Sequence, residues 1–149
     1  MQWHCKHFNE LTAQEIYSIL QIRSAVFVVE QNCVYQDVDD KDTNAYHLFA
    51  IINQEIVAYA RLLAPGISYT EASIGRVLTA PKHRQYGYGK ILMQHAITRT
   101  QQLFNVESIK IGAQFYLLQF YNSLGFVQTS DLYDEDGIDH IEMKWIATQ

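Results

Sequence analysis

Residues 77–90 read V-L-T-A-P-K-H-R-Q-Y-G-Y-G-K and pass straight into I-L-M-Q-H-A-I-T-R-T-Q-Q-L-F over 91–104. An apolar strand feeds a basic turn punctuated by glycines, and the turn opens a helix. The first N–H groups of a helix have no partner within it and together carry about half a positive charge, so they suit an anion. Gly87 and Gly89 let the backbone approach a ligand without a Cβ in the way and permit positive φ. Arg84 and Lys90 add formal charge. Strand, turn and helix start in this order make a cradle for a pyrophosphate.

The composition narrows what that anion is. The chain has 149 residues, is 48% hydrophobic and 18% charged, and carries a formal net charge of −5. That length suits one domain spanning residues 1–149. An acidic chain lacks the basic face that nucleic acid or an anionic membrane requires as a partner. Its local basic cluster, Lys82, His83, Arg84 and Lys90, therefore reads as a site for a small anion. No apolar run approaches the roughly 18 residues of a membrane span, and M-Q-W-H-C-K-H-F at the start lacks the apolar core of a secretory signal. The expected setting is cytoplasmic. Cys5 and Cys33 have no paired spacing and are expected to be free thiols, buried or nearly so. His4, Cys5 and His7 match no zinc pattern, so no metal is expected and the stretch reads as a frayed first strand.

Thr12 and Glu15 have the spacing of a capping box, with Leu11 and Ile16 as its hydrophobic staple, so a helix is expected to start near Ala13. Residues 31–44 form a polar loop holding Asp37, Asp39, Asp40 and Asp42. Strands are expected over 47–52 and 56–63 around an N-Q-E hairpin, then over 73–79. The glycine turn and a helix to about Phe104 follow, then a strand over 109–113. Strand, helix, strand in that order favours parallel pairing through a right-handed crossover. A helix over 116–124 ends at Gly125, with Phe126 set for a Schellman contact. Runs 127–133 and 138–145 close the chain as a hairpin around D-E-D-G. The expected architecture is α+β, with a mixed sheet of about six or seven strands and helices on both faces.

Other phosphate motifs fail on detail. A Walker A loop needs Ser or Thr after Gly-Lys, and Ile91 follows Lys90; a Rossmann fingerprint needs a third glycine where Leu92 stands. No G-x-S-x-G elbow is present. Three segments instead occur together: the strand 77–79, the turn R-Q-Y-G-Y-G from Arg84 to Gly89, and F-Y-N-S-L-G-F from Phe120 to Phe126. On these the chain resembles the GNAT superfamily of acetyl-CoA-dependent N-acetyltransferases. Arg84, Gly87 and Gly89 match the Gln/Arg-x-x-Gly-x-Gly/Ala signature, and Phe120, Tyr121, Gly125 and Phe126 match F-Y-x-x-x-G-F. The runs A-V-F-V-V-E-Q-N (25–32) and E-D-G-I-D-H-I (135–141) look like the ElaA-like subgroup.

The resemblance implies a single acyl-CoA N-acyltransferase domain that takes acetyl-CoA as co-substrate and a small-molecule or peptide amine as acceptor. It implies acetyl-CoA contacts at Val77, Leu78 and Thr79, at Arg84, Gln85, Tyr86, Gly87, Tyr88, Gly89 and Lys90, and at Gln114 and Asn122. Pantetheine carries amides and can pair with such a strand as an extra strand would. A strand N–H, expected to be that of Leu78, would hold the thioester oxygen as it becomes an oxyanion. Tyr121 stands at the family position for the acid that protonates the leaving thiolate.

The general base does not carry over. The family often has a glutamate on the central strands, and here those strands read S-I-G-R (73–76) and S-I-K-I (108–111). Candidates are Glu30, where burial would raise the carboxyl pKa, and His140 in the closing hairpin; ordered water is a third option. Glu30 would otherwise be a structural carboxylate paired with Arg23 or Arg76. If the acidic stretches 37–42 and 134–136 line the acceptor cleft they favour a cationic amine, and otherwise they are solvated loops. Tyr35, Tyr59, Tyr69 and Tyr133 are candidate aromatic walls. An acyl-CoA-binding regulatory module without turnover, a longer acyl donor, and a homodimer through an exposed edge strand stay open at this point.

Overall fold

A computed structural model describes residues 1–148. Eight strands form one sheet: β1 (Gln2–His7), β2 (Tyr46–Ile52), β3 (Glu55–Leu63), β4 (Ala72–Thr79), β5 (Ser108–Gln114), β6 (Val127–Gln128), β7 (Tyr133–Glu135) and β8 (Ile138–Ile146). The helices are α1 (Ala13–Arg23), α2 (Tyr88–Phe104) and α3 (Leu118–Asn122), with a π-helical segment at Ser24–Glu30. The spatial order is β1-β2-β3-β4-β5-β8-β6, with β7 also on β8, and β4–β5 is the one parallel pair. No described helix is long and apolar enough to cross a membrane.

α1 begins where its capping box requires. Thr12 Oγ1 accepts from the Glu15 N–H at 3.1 Å, and Glu15 Oε1 accepts from the Thr12 N–H at 2.9 Å. Such a cap contributes about 1 kcal/mol. Asn53 and Gln54 both take positive φ, 49° and 67°, as the two-residue hairpin between β2 and β3 demands. α2 lays Leu92, Met93, Ala96, Ile97 and Thr100 against one sheet face, where they meet Leu48, Ala58, Ala60, Leu62 and Ile74. α1 and the π segment cover the other face, where Ile19 and Val26 pack on Phe49, Tyr59 and Leu78.

Three expectations are corrected. The first strand is not frayed: β1 pairs with β2 from Gln2 to His7, and Trp3 stacks on His95 of α2 at 4.4 Å. The run 127–133 is two strands, because the Ser130 hydroxyl accepts the Glu142 N–H at 2.8 Å and the Thr129 N–H goes to the Glu142 carbonyl. That side chain takes a place in the ladder, so the backbone leaves β8 and returns as β7, giving eight strands. The polar loop 31–44 is in part buried. Arg23 holds Asp37 and Asp42, Arg61 holds Asp39 and Asp42, and Arg76 holds Asp37 and Asp39, at 2.6–3.3 Å. Buried charges cost several kcal/mol each unless paired, and alternating the three arginines with three aspartates offsets part of that cost, with Asp42 Oδ2 and Arg61 Nε left without a partner.

β4 carries the feature that matters most. Leu62 and Arg61 lie opposite Ile74 and Gly75, yet Tyr59 lies opposite Leu78, so β4 holds one extra residue. Ile74 and Leu78 are four apart and would share a face in a regular strand. The bulge sends Ile74 to the α2-side core and Leu78 to the α1-side core. Arg76 takes φ 51° there, which costs about 1–2 kcal/mol for a side chain of this kind, and its guanidinium bonds to Asp37 and Asp39 hold it.

Candidate active site

β4 and β5 pair only at Ala72–Ile109 and Ser73–Lys110. Beyond those two rungs β4 continues to Thr79 and β5 to Gln114, so the strands part in a wedge. The bulge stands on one wall of it. The Ala80 N–H donates to the Val57 carbonyl at 2.8 Å, and Leu78 lies opposite Tyr59. Backbone groups alternate along an antiparallel ladder. The Leu78 N–H therefore points toward β3, whereas those of Val77 and Thr79 point into the wedge. This corrects the expectation that Leu78 supplies the oxyanion donor.

Past Thr79 the chain turns through a 3₁₀ stretch, Pro81–Tyr86, and reaches Gly87 at φ 73° before α2 begins. Only the glycine backbone takes that angle without strain. A Cβ on Gly89 would stand 3.6 Å from Thr79 Oγ1 and 3.8 Å from Phe120 Cζ, ordinary contacts, so its smallness matters only to something outside the protein. The turn, the free N–H groups of α2, and Phe120 of α3 thus converge at one end of the wedge. Lys82 and Lys90 are exposed there, and the rings of His83, Tyr86 and Tyr88 cluster with centroids 5.5–6.2 Å apart. Gln85 is exposed on the same turn.

Arg84 does not stand free. Its Nε donates to the Thr79 carbonyl at 3.1 Å, and its Nη1 and Nη2 donate to the two Glu30 carboxylate oxygens at 2.7 and 2.6 Å. Glu30 is exposed rather than buried, and its partner is neither Arg23 nor Arg76. The Arg84 hydrogen bond holds its carboxyl below the ordinary glutamate value, the opposite of what a general base needs. Glu30 is withdrawn as a base. Its neighbour Gln31 accepts from Gln114 Nε2 at 3.3 Å, so the end of the π segment touches the turn beyond β4 and the tip of β5 together.

Tyr121 is 6% exposed and packs in the α2-side core with Ile111 and Ala113 of β5. Its ring meets Phe120 and Phe126 edge-on at 5.1 and 5.8 Å. Burial pushes its hydroxyl pKa well above the ordinary tyrosine value, so it stays protonated. Asn122 is exposed and caps the end of α3 through its carbonyl, which accepts from Gly125 N–H at 3.0 Å.

His140 lies opposite Gln114 across β5–β8. Its Nδ1 donates to the Ile138 carbonyl at 2.8 Å, and its Nε2 stands 3.1 Å from Glu135 Oε2. Glu135 belongs to the acidic stretch 134–136, and the Asp136-Gly137 turn sets its place beside the histidine. A two-residue hairpin pairs Tyr133 with His140 and brings Glu135 diagonally against it. Asp134 on β7 and Asp136 in the turn are both exposed; the Asp134 carboxylate accepts the Gly137 N–H. Those of 37–42 that face inward, Asp37, Asp39 and Asp42, are held by arginines. Cys5 and Cys33 are free thiols, half-buried and buried. Among the described residues, no group of three or more His, Cys, Asp or Glu is placed to hold a metal ion.

An acetyltransferase (GNAT) domain model matches residues 9–147. Protein ElaA of Escherichia coli strain K12 is 39% identical over 145 residues, which is 96% of this chain and 95% of that protein. A crystal structure of E. coli ElaA superposes with a TM-score of 0.91 at 38% identity, over 97% of this chain and 98% of that one. The crystal structure of an acyl-CoA N-acyltransferase from Pseudomonas aeruginosa superposes with a TM-score of 0.92 at 39% identity, over 97% and 99%. The chain belongs to the GNAT acetyltransferase family and has its acyl-CoA N-acyltransferase fold.

Proposed function

We propose that this protein transfers the acetyl group of acetyl-CoA to a primary amine by direct attack in a ternary complex. The observation that carries it is the wedge. Two strand N–H groups, those of Val77 and Thr79, face an opening between β4 and β5 whose end is the glycine turn and the positive end of α2. Pantetheine in the wedge would pair with Val77 and Thr79, and the pyrophosphate would rest on the N–H groups from Gly87 to Lys90. A neutral amine attacks the thioester carbonyl, and the Val77 N–H stabilises the oxyanion. One such donor is worth about 3–4 kcal/mol in acyl transfer. The tetrahedral species then expels CoA as a thiolate, and the Tyr121 hydroxyl gives up its proton to the sulfur.

His140 is the remaining side-chain base. With Nδ1–H held by the Ile138 carbonyl, Nε2 is the ring nitrogen left to take the proton of the amine once the exposed Glu135 carboxylate moves aside. The two free thiols suit a reducing compartment, and we place the activity in the cytoplasm.

Thiol release from acetyl-CoA across an amine panel, with products weighed by mass spectrometry, tests the proposal. Acetylated product from at least one primary amine supports it. Tight acetyl-CoA binding by calorimetry with no acetylated product would instead support a regulatory acyl-CoA-binding module.

A further inference from the structure

Gly112 sits two residues beyond the last β4–β5 rung, on the β5 wall of the wedge, exposed between buried Ile111 and Ala113. A Cβ added to it would stand 3.0 Å from the Tyr69 hydroxyl and 3.1 Å from that of Tyr133. A side chain here would push both phenols back by a few tenths of an ångström, so the glycine lets two phenols from different parts of the chain close on the strand at one point. Tyr69 comes from the β3–β4 connection and Tyr133 from β7.

The surroundings of this phenol pair are charged. Glu142 lies directly opposite Gly112 on β8, and Glu135 lies two residues along β7 from Tyr133. Lys110 Nζ stands 3.4 Å from Glu142 and 5.4 Å from the centre of the Tyr69 ring, so the protein already seats one ammonium group against this aromatic face. Lys144 is paired with Glu71 at 3.0 Å. Glu71, Glu135 and Glu142 face Lys144, His140 Nε2 and Lys110 respectively. Burial pushes the Tyr69 hydroxyl pKa up to about 12, and Tyr133, Glu142 and Glu135 push in the same direction. Tyr133 is raised by burial and then by Glu135 and Glu142. Glu135 and Glu142 thus both bear on the phenol oxygens, which favours a cation there.

We propose that Tyr69 and Tyr133, meeting over Gly112, form a subsite for a second positive charge on the acceptor, so that the preferred substrate is a diamine or an amine with a neighbouring cationic group. The phenol oxygens accept hydrogen bonds from the distal ammonium, and Glu142 supplies the opposing charge. The amine that reacts stays unprotonated at the mouth of the wedge. The inference rests on the acetyl-transfer reading above and names the acceptor class within it.

The test is the ratio of kcat/KM for 1,4-diaminobutane to that for 1-aminobutane, measured by thiol release from acetyl-CoA. A ratio of about tenfold or more is expected for one added charge in such a site. Tyr133→Phe and Glu142→Gln should each lower that ratio about fivefold, mainly through the KM of the diamine. A general loss of structure scales both substrates alike and does not move the ratio. A ratio near one, or a ratio untouched by both substitutions, overturns the inference while leaving acetyl transfer intact. If CoA binds but no amine turns over, acetyl transfer falls, and calorimetric titration of 1,4-diaminobutane into the CoA-bound protein decides the subsite. Binding weakened about fivefold by Tyr133→Phe supports it, and no binding overturns it. If CoA does not bind, both fall.

Discussion

Glu30 and Arg84, 54 residues apart in the sequence, meet as a two-pronged pair in which each carboxylate oxygen takes one guanidinium nitrogen, at 2.6 and 2.7 Å. A carboxylate in that fork has the geometry of a phosphate. Arg84 is therefore already engaged, and a pyrophosphate reaching the glycine turn competes with Glu30 for it. Both side chains are more than a third exposed, so the pair adds little to stability, about 0–1 kcal/mol.

Glu30→Gln should accordingly tighten CoA binding about three- to tenfold at low salt, with a change in stability below about 1 kcal/mol. Calorimetry with CoA checks this. Weaker binding would mean that Glu30 holds Arg84 in place for the ligand rather than against it.

The two glycines of the turn make different demands and should fail differently. Gly87→Ala has open space but the wrong φ, so it should cost about 1 kcal/mol in urea unfolding. Gly89→Ala meets no short contact and should fold within about 0.5 kcal/mol of the parent, yet weaken CoA binding about tenfold or more. Unchanged CoA affinity in Gly89→Ala would move the pyrophosphate elsewhere.

Tyr121→Phe removes the proposed acid from a leaving group that is already tolerable, so kcat should fall about 10- to 100-fold, at or below the lower end of what a general acid contributes. CoA affinity should stay within about twofold. Burial keeps the phenol protonated, so kcat should show no alkaline fall from this group below about pH 10. A kcat unaffected by the substitution would return Tyr121 to the core as packing alone.

Stability should fall with acid in two stages. Burial lowers the pKa of His47, whose Nε2 donates to the Asp42 carbonyl while Nδ1 accepts from the Tyr59 hydroxyl. The unfolded chain thus binds a proton more readily than the folded one, and stability drops as pH falls below about 6.5. Burial alone would raise the pKa values of Asp39 and Asp42, but the arginine bonds outweigh it and hold both below the ordinary carboxyl value. Their contribution is complete above about pH 4 and is lost as pH falls through the depressed folded values. Urea midpoints at pH 7, 5.5 and about 2 should decline in that order, and a midpoint that holds steady from pH 5.5 to about 2 would deny the cluster a role in stability.

What the sequence disclosed was local. Thr12 with Glu15, the turn before β3 and the glycine turn before α2 are each set by residues within a few positions of one another, and each stands where expected. The bulge at Arg76 escaped notice because it exists only relative to β3: one extra residue is visible only when both strands are aligned. Asp37, Asp39 and Asp42 looked like loop charges because their arginines lie 14 to 39 residues away. Glu30 was misread for the same reason, since an apolar run before it suggested burial whereas the π segment turns it outward to Arg84. The wedge follows from a register, and Tyr133 reaches Gly112 through the pairing of β7 with β8 and of β8 with β5.

Two rungs join the first half of the sheet to the second. A bound pantetheine would add the hydrogen bonds that the parted strands lack, so the donor would act as a splint as well as a reagent. Without it, the seam between Ala72–Ser73 and Ile109–Lys110 is where the molecule should breathe. Amide exchange at Val77 and Thr79 should slow sharply once CoA is present.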